Sequence, residues 1–182
     1  MSELDTAIKN TQELLRETAD AVGHLKPDGS KVFSFLISDL ADTETRENII
    51  EKISQWEKEH GDSKYLYFYR AEDFDADLAY RLFYETKVVK KEDRAYPRLN
   101  NRSNVLYVGS SQNLTLRFKE HLGYGAKGTY AMQLSYWAQK LKMKINFHCF
   151  RFQRDIPSEV LQAVEDGLWL LLKPMLGRKG SR

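Results

Sequence analysis

Apolar residues recur along this chain in two rhythms, one of three to four residues and one of two, and the switches between them mark out its elements. Ile8, Leu14, Leu15, Ala19 and Val22 fall at near-helical spacing over residues 6–22, and Gly23 with Lys26-Pro27-Asp28-Gly29 breaks that helix. Val32, Phe33, Phe35, Leu36 and Ile37 form a short apolar run that suits a strand or a helical turn equally. A second helix starts at Asp42 or Thr43 and runs to His60. Ile49, Ile50, Ile53 and Trp56 make its apolar stripe, and Gly61 is its stop.

Residues 64–70 are aromatic-rich and predict a strand, as does the segment 105–110. Between them Leu78, Ala79, Leu82 and Phe83 predict a helix. The charged stretch 87–102, with Pro97 and Asn100-Asn101, predicts a loop or a long hairpin connection. Helices are expected at 112–122 and 129–141. From 144 to 152, Ile145, Phe147 and Cys149 alternate with Lys144, Asn146 and His148, which is a strand period. Pro157 stands at the first turn of a last helix that ends before Pro174. The order predicts an α/β (α+β) fold: a small, three-stranded, mostly antiparallel sheet flanked by helices, with a helical N-terminal extension.

At 182 residues the chain is long enough to bury one core. Its single cysteine, Cys149, provides neither an internal disulfide nor a thiolate zinc site, and reads as a small buried hydrophobe. The first ten residues carry acids and no apolar run, so no signal peptide, no transmembrane segment and a cytoplasmic location are expected. The near-neutral net charge of +2 hides an asymmetry. Residues 1–62 hold 7 Lys+Arg against 14 Asp+Glu, a net of −7, and residues 63–182 hold 21 against 12, a net of +9. The acidic part is the expected N-terminal extension, and the basic part suits a polyphosphate partner.

The chemistry-bearing residues lie in that basic part. Tyr107-Val108-Gly109 is followed eight residues later by Arg117 and four after that by His121, while Glu165 stands nine residues ahead of Pro174. Upstream lies Tyr65-Leu66-Tyr67-Phe68-Tyr69. Glu165, in an otherwise apolar helix, is a hard oxygen ligand of the kind Mg²⁺ takes, and it equally suits a solvated helix face beside Asp166. Arg117 offers a planar fork of donors for a phosphate, or an ordinary helix charge. His121, one turn on, shares its face and can orient a tyrosine, relay a proton or cap a helix end.

This ordered set resembles the active site of the GIY-YIG nucleases, over roughly residues 64–177. Leu66-Tyr67 matches the end of the first half-motif and Tyr107-Val108-Gly109 the second. The resemblance implies a nuclease domain at 63–182 with an insert at 71–104. It further implies catalytic roles for Tyr67, Tyr107, Arg117, His121 and Glu165, with Glu165 binding Mg²⁺ or Mn²⁺ and one of the paired tyrosines helping to activate water. A phenol near its ordinary pKa is a weak base at neutral pH, so that role needs nearby positive charge. Gly109 lets the backbone approach the substrate, and Arg178, Lys179 and Arg182 in the basic tail are expected to touch the DNA backbone.

The implied activity is a metal-dependent endonuclease hydrolysing double-stranded DNA, similar to the stand-alone restriction members of that family, with a homodimer formed through the N-terminal extension. Tyr65 replaces the Gly of the first half-motif, and Gly177 stands where an Asn is usual. The missing Asn motivates an alternative: a catalytically degenerate GIY-YIG fold that binds nucleic acid or protein without cutting.

Overall fold

A computed structural model describes residues 2–59 and 61–180, so the expected helix end at His60 and the contact expected of Arg182 lie outside the described residues. Helix α1 (Glu3–His24) is followed by strand β1 (Gly29–Leu36), a 3₁₀ turn at Ile37–Ala41 and helix α2 (Thr43–Lys58). Strand β2 (Ser63–Glu72), helix α3 (Ala76–Val88) and a 3₁₀ turn at Lys91–Asp93 lead to strand β3 (Val105–Ser111) and helix α4 (Leu114–Leu122). A short helix α5 (Leu134–Trp137), strand β4 (Lys144–Gln153) and helix α6 (Ser158–Leu172) complete the order.

The helix starts are written in their caps. Ser2 and Asp5 exchange hydrogen bonds at the start of α1, Asp42 accepts the Thr45 N–H ahead of α2, and Asp75 accepts from Asp77 and Leu78 ahead of α3. Asn113 accepts the Leu116 N–H at the start of α4, and Gly123, at φ 109°, ends that helix in the left-handed conformation glycine tolerates.

The strands form one antiparallel sheet in the order β1-β4-β2-β3. It has four strands where three were expected, because the ambiguous run at 32–37 contributes a strand. Phe33 and Phe35 turn inward while Val32, Ser34 and Leu36 stay exposed, a period of two, and β1 pairs with β4 from Gly29↔Arg151 to Leu36↔Lys144. The acidic segment 1–62 is thus built into the fold: β1 belongs to the sheet, and α2 buries Ile50, Ile53 and Trp56 in the same core as Phe33, Tyr67 and Phe118. Of the α-helices, α1 alone has no buried position among the described residues.

The helix expected over 129–141 shrinks to Leu134–Trp137. Ala131, Met132, Leu134, Trp137, Ala138 and Leu141 are all buried, but Gln133 is left-handed at φ 58° and its amide donates to the Ala95 and Thr129 carbonyls. Burial on every side, not one helical stripe, produced that apolar density. In the 87–102 segment, α3 runs on to Val88 before the loop begins.

The sheet has two covered faces. Tyr65, Tyr67, Tyr69, Phe147 and Cys149 pack with α2, α4 and the α5 region, and Leu66, Phe68, Val108 and Phe152 pack against α6. Among the described residues no helix is long and apolar enough to cross a membrane.

Candidate active site

Tyr67 sits on central β2 directly opposite Gly109 on β3, and Tyr107 lies two residues further back on that strand, facing Tyr69. All four therefore share one face of the sheet. The two rings of Tyr67 and Tyr107 lie nearly parallel at 6.5 Å. Gly109 is the position that makes this arrangement possible: a Cβ there would meet the Tyr67 hydroxyl at 2.7 Å and the Tyr107 ring at 2.9 Å, closer than real side chains come.

Helix α4 brings Arg117 and His121 onto these tyrosines. Its N-terminus is tied to α2 by Glu57, whose carboxylate accepts from the Leu114 and Thr115 backbone and the Thr115 hydroxyl. An anion at a helix N-terminus satisfies orphan N–H groups and complements the dipole, so α2 fixes the helix that carries the site. Arg117 donates through Nε to the Tyr67 hydroxyl at 3.1 Å and through Nη2 to the Tyr107 hydroxyl at 3.2 Å and the Tyr130 carbonyl at 3.1 Å. Its Nη1 pairs with Glu120 at 2.7 Å. Four of the five guanidinium N–H donors thus serve the protein, leaving one on Nη1 and the charge itself. Burial works against that charge, but Tyr67, Tyr107 and Glu120 outweigh it and hold the group firmly protonated.

His121 is fully buried, its Nδ1 accepting the Met132 backbone N–H at 3.2 Å and its Nε2 lying 3.1 Å from the Tyr67 hydroxyl. Burial, with Arg117 nearby, depresses its pKa well below the ordinary imidazole value, so the ring is neutral. A neutral ring that accepts at Nδ1 carries its proton on Nε2, which makes His121 a donor to Tyr67. The Tyr67 oxygen consequently accepts two N–H groups, one from a cation. Burial nonetheless raises the pKa of Tyr67 well above its usual value, Arg117 offsetting only part of the rise and Glu165 adding to it. Tyr107 is raised by the same causes. Both are protonated phenols in the resting protein.

Glu165 comes from α6, buried at 7 % exposure, and lines the same cleft as Tyr67, Tyr107, Gly109 and Arg117. The cleft has a volume of about 1070 Å³. Every catalytic position expected from the sequence except His121 lines it, and His121 stands directly behind Tyr67. Arg178 is on its wall; Lys179 is exposed and is not among the lining residues. Among the described residues no group of three or more His, Cys, Asp or Glu is placed to hold a metal by itself. A single carboxylate beside a cleft fits Mg²⁺ or Mn²⁺, which keep several waters and draw other ligands from a bound phosphate.

Several contributors escaped the sequence reading. Glu120 and Glu57 hold Arg117 and its helix, and Gln162, one turn before Glu165, lines the cleft. Asn100 donates its amide to the Pro174 and Gly177 carbonyls at 3.1 and 2.9 Å, stitching the chain after α6 to the insert. Gly177, at φ 95°, faces the Tyr107 ring, which a Cβ would approach to 3.0 Å. A larger residue is therefore strained at that position, and the amide that braces this turn comes from elsewhere in the chain. The charged stretch 87–102, expected only as a connection, supplies Lys87, Lys90, Arg94 and Arg98 to the cleft, and nothing local in the sequence marks Glu57 or Asn100. No protein-family model, curated protein or solved structure matches the chain.

Proposed function

We propose that this protein is a metal-dependent endonuclease that hydrolyses phosphodiester bonds in double-stranded DNA. The observation that carries the reading is the convergence of Tyr67, Tyr107, Gly109, Arg117 and Glu165 on one cleft. They come from two strands and two helices, in the positions where the sequence resembles the GIY-YIG nucleases. Seven Lys and Arg side chains and only two acids, Asp93 and Glu165, line that cleft, which suits a polyanion.

Glu165 would hold Mg²⁺ or Mn²⁺. Such an ion, when bound, supplies Lewis-acid neutralisation of the phosphoryl and leaving oxygens. The protein's own residues orient the rest. Tyr67 accepts from Arg117 and His121 and so has its own O–H left for an acceptor in the cleft, where it fixes the attacking water. Arg117 keeps a full positive charge against both tyrosine oxygens, which favours release and not uptake of a phenol proton there, and its remaining Nη1–H is available to the phosphate. Water attacks phosphorus in line with the 3′ oxygen and gives up a proton to solvent. The bond from phosphorus to that oxygen breaks, and the leaving alkoxide takes a proton from solvent, leaving a 5′-phosphate and a 3′-hydroxyl. His121, neutral and held by the Met132 N–H, positions Tyr67 without touching substrate.

The exposed apolar positions of α1, among them Leu4, Ile8, Leu14 and Leu15, are where a second copy would pair. Supercoiled plasmid incubated with the purified protein and Mg²⁺ or Mn²⁺ tests the activity. Nicked and linear products that disappear in Glu165→Ala support it, and binding without cleavage by a folded wild-type chain supports the degenerate alternative.

A further inference from the structure

The cleft is larger than one phosphodiester needs, and its outer wall carries cations that the proposed chemistry does not use. Lys90 and Arg98 come from the segment after α3, and Lys127 from the loop after α4. With Arg178 they are exposed and make no ion pair among the described residues. Other cations of this protein do find carboxylates, such as Arg117 with Glu120 and Arg151 with Asp28. With seven cations against two acids in the cleft, the excess like charges repel one another, and an anion that spans them relieves the repulsion.

The loop that presents them is held in an unfavourable shape. Lys90, Glu92 and Asp93 are all left-handed, at φ 45°, 59° and 53°, a conformation that costs side-chain-bearing residues about 1 kcal/mol or more each. Tertiary contacts enforce it. The Tyr96 hydroxyl donates to the Lys91 carbonyl at 3.1 Å, Lys91 Nζ to the Tyr136 carbonyl at 3.0 Å, and the Ala95 N–H to the Lys127 carbonyl at 2.7 Å. That last bond joins the two cation-bearing loops directly. Tyr130, 67 % exposed on the same cleft, adds an aromatic face beside the Arg117 guanidinium that its own carbonyl holds.

We infer that the joined loops bearing Lys90, Arg98 and Lys127 form a built phosphate-binding wall that grips a nucleic-acid backbone beyond the scissile phosphate, with Tyr130 as a stacking surface for an unpaired base at a strand end. Cations spread along a cleft of about 1070 Å³ suit a chain of phosphates and not a single one. The aromatic face favours nucleic acid over inorganic polyphosphate, which has nothing to stack. The naming of nucleic acid rests on the nuclease reading; the wall itself does not.

The test reads binding alone, using Glu165→Gln protein in metal-free buffer and a labelled duplex of random sequence over a series of salt concentrations. Replacing Lys90 and Lys127 by Gln lowers the slope of log affinity against log salt by about 2, roughly 0.9 for each phosphate no longer neutralised. Replacing Lys9 and Arg16 on α1, which removes the same charge away from the cleft, leaves the slope unchanged. An equal fall in both pairs, no fall in the first, or no duplex binding at all overturns the wall. Tyr130→Ala weakens binding of a duplex with a single-stranded overhang and leaves inorganic polyphosphate binding as it was; equal loss of both overturns the assignment to nucleic acid. Because no cleavage is measured, an inactive wild-type enzyme removes the nuclease reading and leaves these outcomes intact.

Discussion

The Nε of Arg117 donates to the Tyr67 hydroxyl at 3.1 Å, while the Nη2 of the same guanidinium reaches Tyr107 at 3.2 Å, so one planar group sets the spacing of two tyrosines from neighbouring strands. A point-like ammonium cannot do this. Arg117→Lys is predicted to stay folded, to bind duplex nearly as well and to cleave about 100-fold more slowly or worse. Single-turnover rates with matched binding isotherms check it. Wild-type cleavage by the Lys variant would show that the fork is not required.

Gly109 is predicted to tolerate no side chain. The added methyl of Gly109→Ala meets the Tyr67 hydroxyl at 2.7 Å and the Tyr107 ring at 2.9 Å, so at least one of the two rings must shift from its place. Displacement of Tyr67 also breaks its bonds to Arg117 and His121. The expected result is a loss of about 1–3 kcal/mol in denaturant unfolding together with a cleavage defect of about tenfold or more. An Ala variant matching wild type in both would contradict the close approach.

How much of this was legible in advance depended on whether a residue's role is local. Tyr67, Gly109, Arg117 and Glu165 stand out because their order and spacing resemble the GIY-YIG motifs, and the fold brings them to one cleft, while the alternation at 144–152 marked β4. β1 was ambiguous because a short apolar run fits either period, and only pairing with β4 decides it. The region 129–141 misled because Ala131, Met132 and Leu134 are buried by tertiary packing around a left-handed Gln133. Glu57 and Asn100 work across 57 and 77 residues of sequence, respectively, and no window of the chain contains both partners.

Acid should loosen the protein through His121. Its pKa in the fold lies below the ordinary 6.5, so the unfolded chain takes up a proton that the native site refuses. Stability from this group is full above that value and falls as the pH drops below about 6.5, by up to about 1.4 kcal/mol per pH unit. The half-buried His148, also depressed by burial, acts in the same direction more weakly. Unfolding midpoints across this range are predicted to decline less steeply in His121→Gln than in wild type. Parallel profiles would mean that His121 is not the buried neutral group described.

Truncation separates α1 from the rest of the acidic segment. Removal of residues 1–24 deletes a helix with no buried residue and should leave a folded, monomeric chain with cleavage retained. Removal of residues 1–62 strips β1 from β4, takes Ile50, Ile53 and Trp56 from the core and leaves the start of α4 without Glu57. That chain is predicted not to fold. Circular dichroism and mass in solution distinguish the two, and a cooperatively folding chain beginning at residue 63 would refute the integration of this segment.

The central claim is that Glu165 binds the metal on which cleavage depends. Rates of cutting a labelled linear duplex are to be compared for wild type and Glu165→Gln over a Mg²⁺ titration, with product ends identified and duplex binding measured alongside. The account predicts metal-dependent cutting by wild type to 5′-phosphate and 3′-hydroxyl ends. In Glu165→Gln the rate should fall by about 1000-fold or more while duplex binding persists. Cutting by Glu165→Gln at the wild-type rate, or a folded wild-type chain that binds duplex and never cuts it with either metal, would contradict the claim.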